Sequence, residues 1–115
     1  MLETARRIEW ITAALKAFKK FPEGAQRKIL VALTDAAQGT TADIAKPMKG
    51  LGVGIFEVAL KYRTDAYRTV YGVQIDDAIW VLHAFKKKSK TGIKTPKPET
   101  GLIKQRIKTL KEMLK

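Results

Sequence analysis

Tyr67-Arg68-Thr69-Val70-Tyr71-Gly72-Val73-Gln74-Ile75, then Asp76-Asp77, then Ala78-Ile79-Trp80-Val81-Leu82-His83-Ala84-Phe85-Lys86: two runs rich in β-branched and aromatic residues flank a pair of aspartates. Such residues suit a pleated, half-buried strand, and Asp tolerates turn backbone angles, so the stretch reads as a β-hairpin. A two-residue turn sets Ile75 opposite Ala78. Counting back puts Val70 opposite His83 and Arg68 opposite Phe85. Side chains alternate along a strand and cross-strand neighbours share a face. Arg68, His83, Phe85 and Lys87 therefore fall on one face. Tyr67, Tyr71, Val73, Trp80, Leu82 and Ala84 fall on the other. The hairpin thus separates an apolar face from one holding an arginine, the single histidine and a lysine.

The chain's 115 residues suggest one domain with a modest core. No apolar run of membrane-spanning length occurs, and neither a signal peptide nor a transit peptide is expected. With no cysteine and one histidine, neither a transition-metal site nor a cofactor is expected. The cysteine count fits a cytoplasmic protein. The formal charge is +12. Residues 86–115 carry eleven basic and two acidic side chains, hence 11 − 2 = +9, which leaves +3 for residues 1–85. A field gathered at one end is the footprint expected of a polyanion binder; the plainer alternative is a solvated basic tail.

Arg7 to Ile11 reads as a short strand. Thr12 is positioned to cap a helix to about Lys20, and Phe21-Pro22 breaks it. A second helix runs to about Gln38 on an apolar stripe of Ile29, Leu33 and Ala36, and Gly39 stops it. Residues 39–54 read as a mobile loop whose Lys46 and Lys49 can approach a phosphate backbone. Ile55 to Tyr62 alternates as a strand, with Glu57, Ala59 and Lys61 on its polar face. A four-residue turn, Arg63 to Ala66, sets Lys61 opposite Arg68. Thr91 to Pro98 reads as a linker, and Glu99 to Leu114 as a helix with Ile103, Ile107, Leu110 and Leu114 on one side. The sum is an α+β fold, β-α-α-β-β-β-α, with two helices on the apolar face of an antiparallel sheet. The opposite face is expected to be charged and open.

The order of elements resembles the RelE-like toxins of bacterial toxin–antitoxin systems, and within them the phage-derived, HigB-like branch. The residues carrying the resemblance are Phe21-Pro22, Lys46-Pro47, Phe56-Glu57-Val58 and Tyr67-Arg68-Thr69-Val70-Tyr71. The most specific stretch is Val81-Leu82-His83-Ala84-Phe85-Lys86-Lys87-Lys88-Ser89, followed by Thr95-Pro96. The resemblance covers nearly the whole chain. It implies a metal-independent endoribonuclease that cuts messenger RNA on the ribosome, held in check by an antitoxin, expected to be a small helix-turn-helix protein.

By the same resemblance, Arg68 matches the family's strand arginine, and Lys87 lies where relatives often carry a second arginine. His83 can move a proton, since an imidazole titrates at about 6.5. Glu57 can act as base or orient Arg68. Phe85 can stack on a base, and Lys46, Lys49, Lys61, Lys86, Lys88 and Lys90 can contact RNA. Each has an ordinary alternative. His83 can be a structural hydrogen-bonder, Arg68 a partner for Glu57, Lys87 a solvated residue, and Phe85 part of a small core with Val70 and Val81. The chain also departs from the family pattern. Ala59 stands where many relatives carry a basic residue, and the C-terminal tyrosine often given acid–base work has no clear equivalent. A catalytically inactive RNA- or DNA-binding protein of the same fold is therefore the alternative function.

Overall fold

A computed structural model describes residues 5–87 and 95–115. The elements are β1 (Arg7–Trp10), α1 (Thr12–Phe18), α2 (Glu23–Ala37), β2 (Ala45–Pro47), β3 (Ile55–Tyr62), β4 (Asp65–Ile75), β5 (Ala78–Lys87) and α3 (Lys97–Met113). One sheet runs in the order β1-β5-β4-β3-β2. β1 is parallel to β5, and the other pairs are antiparallel.

α1 and α2 cover one face. The stripe of α2 is buried through Ala25, Ile29, Ala32, Leu33 and Ala36, and it meets Val58, Leu60, Tyr67, Tyr71, Ile79 and Val81 from the sheet. An aromatic row runs Trp10–Phe18–Phe21–Tyr67, with successive ring centroids 4.9, 5.7 and 4.8 Å apart. Phe21-Pro22 ends α1 as its sequence predicts: Phe21 turns into the core and Pro22 is the N-cap of α2. Gly39, at φ +89°, takes the left-handed conformation that stops α2. Thr12 does not cap α1. It is the first helical residue, Ile11 is the N-cap, and no side chain caps the helix.

Three expectations of register change. Residues 45–47 of the expected loop form an edge strand, which places Lys46 opposite Glu57. The β3–β4 turn is two residues, not four: Tyr62 faces Asp65, and Arg63 supplies the positive φ of 58°. Arg68 therefore faces Ala59 rather than Lys61. The β4–β5 ladder contains two irregularities, between Val70 and Tyr71 and between Gly72 and Ile75. Their shifts cancel. Ile75 still faces Ala78, Val70 still faces His83 and Arg68 still faces Phe85.

Between the two shifts the faces exchange. Leu82 has no ladder partner of its own, since Tyr71 faces Val81 and Val70 faces His83. Trp80 and Leu82 consequently pack with Val70, Ile55 and Ile75, away from α1 and α2. Val81 takes the place expected of them beneath the helices.

The largest correction concerns the face expected to be open. α3 lies across it, burying Ile103, Ile107 and Leu110 against Val70, Leu82, Ile55 and Ile75. The sheet is thus covered on both sides. Among the described residues, no helix is long and apolar enough to cross a membrane.

Candidate functional site

The polar residues under α3 occupy alternate positions of neighbouring strands. Glu57 on β3 is the diagonal neighbour of Arg68 on β4, because Glu57 faces Val70 and Arg68 faces Ala59. An Arg68 Nη1–H donates to Glu57 Oε1 at 2.8 Å, and both side chains are largely buried. The other carboxylate oxygen of Glu57 accepts from the Thr95 hydroxyl at 2.6 Å. Thr95 precedes α3, so this bond ties the approach to the helix to the sheet. Lys87, at the end of β5, completes the group. Burial lowers its pKa, the Arg68 charge lowers it further, and Glu57 opposes both.

His83 lies further back along β5, with Phe85 between it and Lys87. Its Nε2 lies 2.5 Å from Glu99 Oε1, and its Nδ1 lies 2.9 Å from Arg106 Nη1. A guanidinium only donates, so Nδ1 accepts; the ring proton of this tautomer is on Nε2, which donates to Glu99. Arg106 Nη1 also donates to the Leu82 carbonyl at 2.9 Å. That carbonyl belongs to the residue that has no Cα partner in the irregular β4–β5 ladder, and α3 supplies it with a donor. Burial pushes the Arg106 guanidinium below the usual arginine range, and Glu99 opposes the shift. The ring of Phe85 stacks on His83 at 5.2 Å.

The expected quartet of Glu57, Arg68, His83 and Lys87 therefore shares one face, with Phe85 beside it. It is not an exposed face: Arg68, His83 and Lys87 are 7%, 6% and 3% exposed. The RNA-contact candidates divide. Lys46 is exposed and shares the face of Glu57 through its ladder pairing. Lys61 is exposed near the end of β3, and Lys49 is exposed in the turn after β2. Lys86 points the other way from Lys87 and pairs with Asp65 at 3.2 Å. Lys88 and Lys90 lie outside the described residues.

Sequence reasoning missed Glu99, Arg106 and the Glu57 contact of Thr95. One signal was available. Arg106 is the single arginine among the ten lysines of residues 86–115, and it sits between the core positions Ile103 and Ile107 of α3. Where bidentate or branched donation is needed, arginine is not interchangeable with lysine.

The model of the phage-derived Gp49-like protein family matches residues 16–108. Two solved structures of the Escherichia coli toxin RelE share the fold. A free-state double mutant is 16% identical over 92% of this chain and 98% of its own, with a TM-score of 0.61. The isolated toxin is 18% identical over 88% and 98%, with a TM-score of 0.57. The toxin–antitoxin complex RelBE2 of Mycobacterium tuberculosis, 23% identical over 72% and 92%, superposes only at a TM-score of 0.40. Among curated proteins none matches. The chain belongs to the phage-derived Gp49-like family, and it has the fold of the RelE toxins.

Proposed function

We propose that this chain is the toxin of a toxin–antitoxin pair, and that it cleaves messenger RNA on the ribosome without a metal. The observation that carries the reading is the juxtaposition of Arg68, Glu57, Lys87 and His83 on one sheet face of a fold shared with RelE toxins.

The chemistry needs few parts. The ribose 2′-oxygen attacks the adjacent phosphorus, its proton leaves to a base, and the 5′-oxygen departs with a proton. The products are a 2′,3′-cyclic phosphate and a 5′-hydroxyl. Because nucleophile and phosphate belong to one substrate, positioning supplies much of the acceleration. Arg68 and Lys87 provide the positive charge that a phosphorane needs. Glu57, released from Arg68 when phosphate takes its place, is the base. His83 becomes the acid once Nδ1 takes a proton in place of the bond it accepts from Arg106 and Glu99 releases Nε2. Phe85 offers a stacking surface, and Lys46, Lys49 and Lys61 guide the strand.

A second reading draws on the burial of the same groups. Arg68 and His83 are engaged with Glu57, Glu99 and Arg106 inside the fold. That arrangement suits a protein that binds RNA or DNA through its exposed lysines and cuts nothing.

Induced expression of wild type beside Arg68→Lys, with mapping of messenger RNA 5′ ends, separates the two. Arg68→Lys keeps the charge but loses the planar fork. The toxin reading expects growth arrest and new ends within translated messages for wild type, and far fewer for the variant. Intact messages while folded wild type accumulates leave the binding reading standing.

A further inference from the structure

β1 runs beside β5 only from Arg7 to Trp10, opposite Ala78 to Val81. Beyond Val81, among the described residues, no strand lies on that side of β5. The end of α1 and the Phe21-Pro22 break stand there instead. Between them and the end of β5 lies a pocket of about 390 Å³. Phe21, Tyr67 and Phe85 are its aromatic lining, and Ala17 and Pro22 adjoin them. Lys20 and Lys86 carry the only charges among its described lining residues. No described residue of α3 takes part, so the pocket is open while the quartet beneath α3 is buried.

We infer that this pocket holds one unpaired nucleotide of an RNA strand, its base against the aromatic rings and its phosphate at Lys20 and Lys86. The inference rests on the reading of this chain as a protein that acts on RNA, and it adds a subsite outside the quartet. The size fits, since small-molecule sites occupy about 300–1,000 Å³. The lining fits as well. Bases splayed out of a single strand are held on aromatic side chains, because every base has a π face. The rings are fixed in advance: Phe21 and Tyr67 pack with centroids 4.8 Å apart. The break between the helices is fixed too. Gln26 Nε2 donates to the Lys19 carbonyl at 3.1 Å and to the Phe21 carbonyl at 2.9 Å. A site made of parts already in place has little ordering left to do on binding.

Charge selects an anion. Two lysines line the pocket and no described carboxylate does. Lys20 is exposed. Lys86 pairs with Asp65 at 3.2 Å, but the two side chains are 55% and 33% exposed. A pair so wet is weak and yields its ammonium to a phosphate. An acidic peptide would meet the lysines but would bring no flat ring for the aromatic lining. Position then ties the pocket to the quartet. Phe85 belongs to both: it lines the pocket, and its ring stacks on His83 with 26° between the planes. A strand with one base in the pocket passes the end of β5, where Lys86 and Lys87 are neighbours on opposite sides of the sheet. No amide or guanidinium side chain is among the described lining residues, and those are the groups that read base edges in pairs of bonds. The pocket therefore positions a strand without choosing its sequence.

The probe is a single-stranded RNA of about six nucleotides, carrying one fluorescent aminopurine and methylated at its 2′-oxygens so that it cannot be cut. The expected result is saturable quenching as the aminopurine stacks, with amide NMR shifts gathered at residues 17–22 and 85–86. Lys20→Gln leaves the thermal melt in place and flattens the log–log salt dependence of binding by roughly 0.7, the share of one phosphate. Phe85→Leu removes most of the quenching, and its amide spectrum shows that it is folded. Lys111→Gln, exposed on α3, changes neither the slope nor the quenching. Absence of saturable quenching overturns the inference, as do shifts gathered under α3. An equal loss of slope in Lys111→Gln also overturns it, because binding is then diffuse. Free adenosine monophosphate bound as tightly as the strand overturns the assignment to a strand, and an acidic peptide that displaces the probe overturns the choice of RNA. Arg68→Lys separates this inference from the ribonuclease proposal. Quenching retained where even wild type cuts nothing leaves the subsite standing alone, and cleavage by wild type without quenching removes the subsite alone.

Discussion

The two faces of the sheet are built differently. Under α1 and α2 the contacts are almost wholly apolar and aromatic, from Ile29 and Leu33 to Tyr67, Tyr71 and Val81. Under α3 a smaller apolar patch, centred on Leu82 and Ile103, adjoins a chain of buried charge. Apolar packing is forgiving of small shifts and uniform in sign. Buried charge stabilises only while every partner is in place. The first face is suited to hold the fold. The second couples the position of one helix to the state of a buried polar cluster.

The largest effect is expected where a buried, hydrogen-bonded ion pair loses one partner. Arg68→Ala removes the guanidinium bonded to Glu57 inside the fold. It should cost roughly 3–5 kcal/mol, the range for breaking one half of a buried pair, and, on the proposed function, should also abolish cleavage. The sequence alone predicts a fold-neutral variant, because it places Arg68 on an open surface; burial to 7% exposure removes that expectation. The double variant Arg68→Met with Glu57→Met should recover much of the stability and none of the activity. Thermal melts beside single-turnover cleavage check both statements, and a double variant as unstable as Arg68→Ala would mean that the pair does not carry the cost.

Next come the cavities. Leu82→Ala and Ile103→Ala each remove a fully buried side chain from the patch under α3. Each should cost roughly 2–5 kcal/mol. Because they share one patch, the double variant should lose less than the sum. Ile29→Ala, beneath the other face, should add to either one nearly in full. Denaturant titrations give all of these values. Full additivity of Leu82→Ala with Ile103→Ala would separate α3 from the sheet energetically.

His83→Ala is smaller. It leaves Glu99 and Arg106 without the ring between them, though the two can approach each other or reach water. The expected loss is roughly 1–3 kcal/mol. It should appear first as faster amide exchange in α3, with α2 unchanged. Equal acceleration in both helices would erase the distinction between the faces.

Lys87→Met gives the smallest shift, and in the opposite direction. Desolvation, then Arg68, disfavour the charged ammonium, and Glu57 only partly compensates. The folded-state pKa is depressed, so Lys87 destabilises the fold as pH falls from the lysine range toward neutrality. The variant should therefore melt slightly higher than wild type at neutral pH, with the gap closing as pH rises into that range. Melts across alkaline pH test it, and a gap that widens with rising pH would reverse the assignment.

How much the sequence could determine depended on whether the signal was local. The alternation of β3, β4 and β5, the break at Phe21-Pro22, the stop at Gly39 and the stripe of α2 are local, and each element lies where its residues put it. The pairings Val70–His83 and Arg68–Phe85 were legible too, but through compensation: two irregularities shift the ladder and shift it back. Between them the alternation rule fails. Trp80 and Leu82 were assigned to the wrong face because an unpaired residue changes parity without leaving a mark in composition. The edge strand of residues 45–47 was invisible for a different reason. Three residues with a proline carry no periodicity, and the strand exists only because β3 offers an edge.

The quartet of Glu57, Arg68, His83 and Lys87 followed from side-chain alternation, so for these four residues, outside the irregular stretch, the sequence by itself determined a shared face. Only the tertiary structure decided what that face meets. The amphipathic stripe of α3 says that the helix must bury one side, but every apolar patch satisfies that requirement equally. The choice was made by shape and by partner. Leu82, turned over by the irregular ladder, supplies an apolar seat for Ile103, and the carbonyl and imidazole beside it supply acceptors for Arg106. Those groups come together only after the chain has folded, because burial and pairing depend on distances across the structure rather than along the sequence.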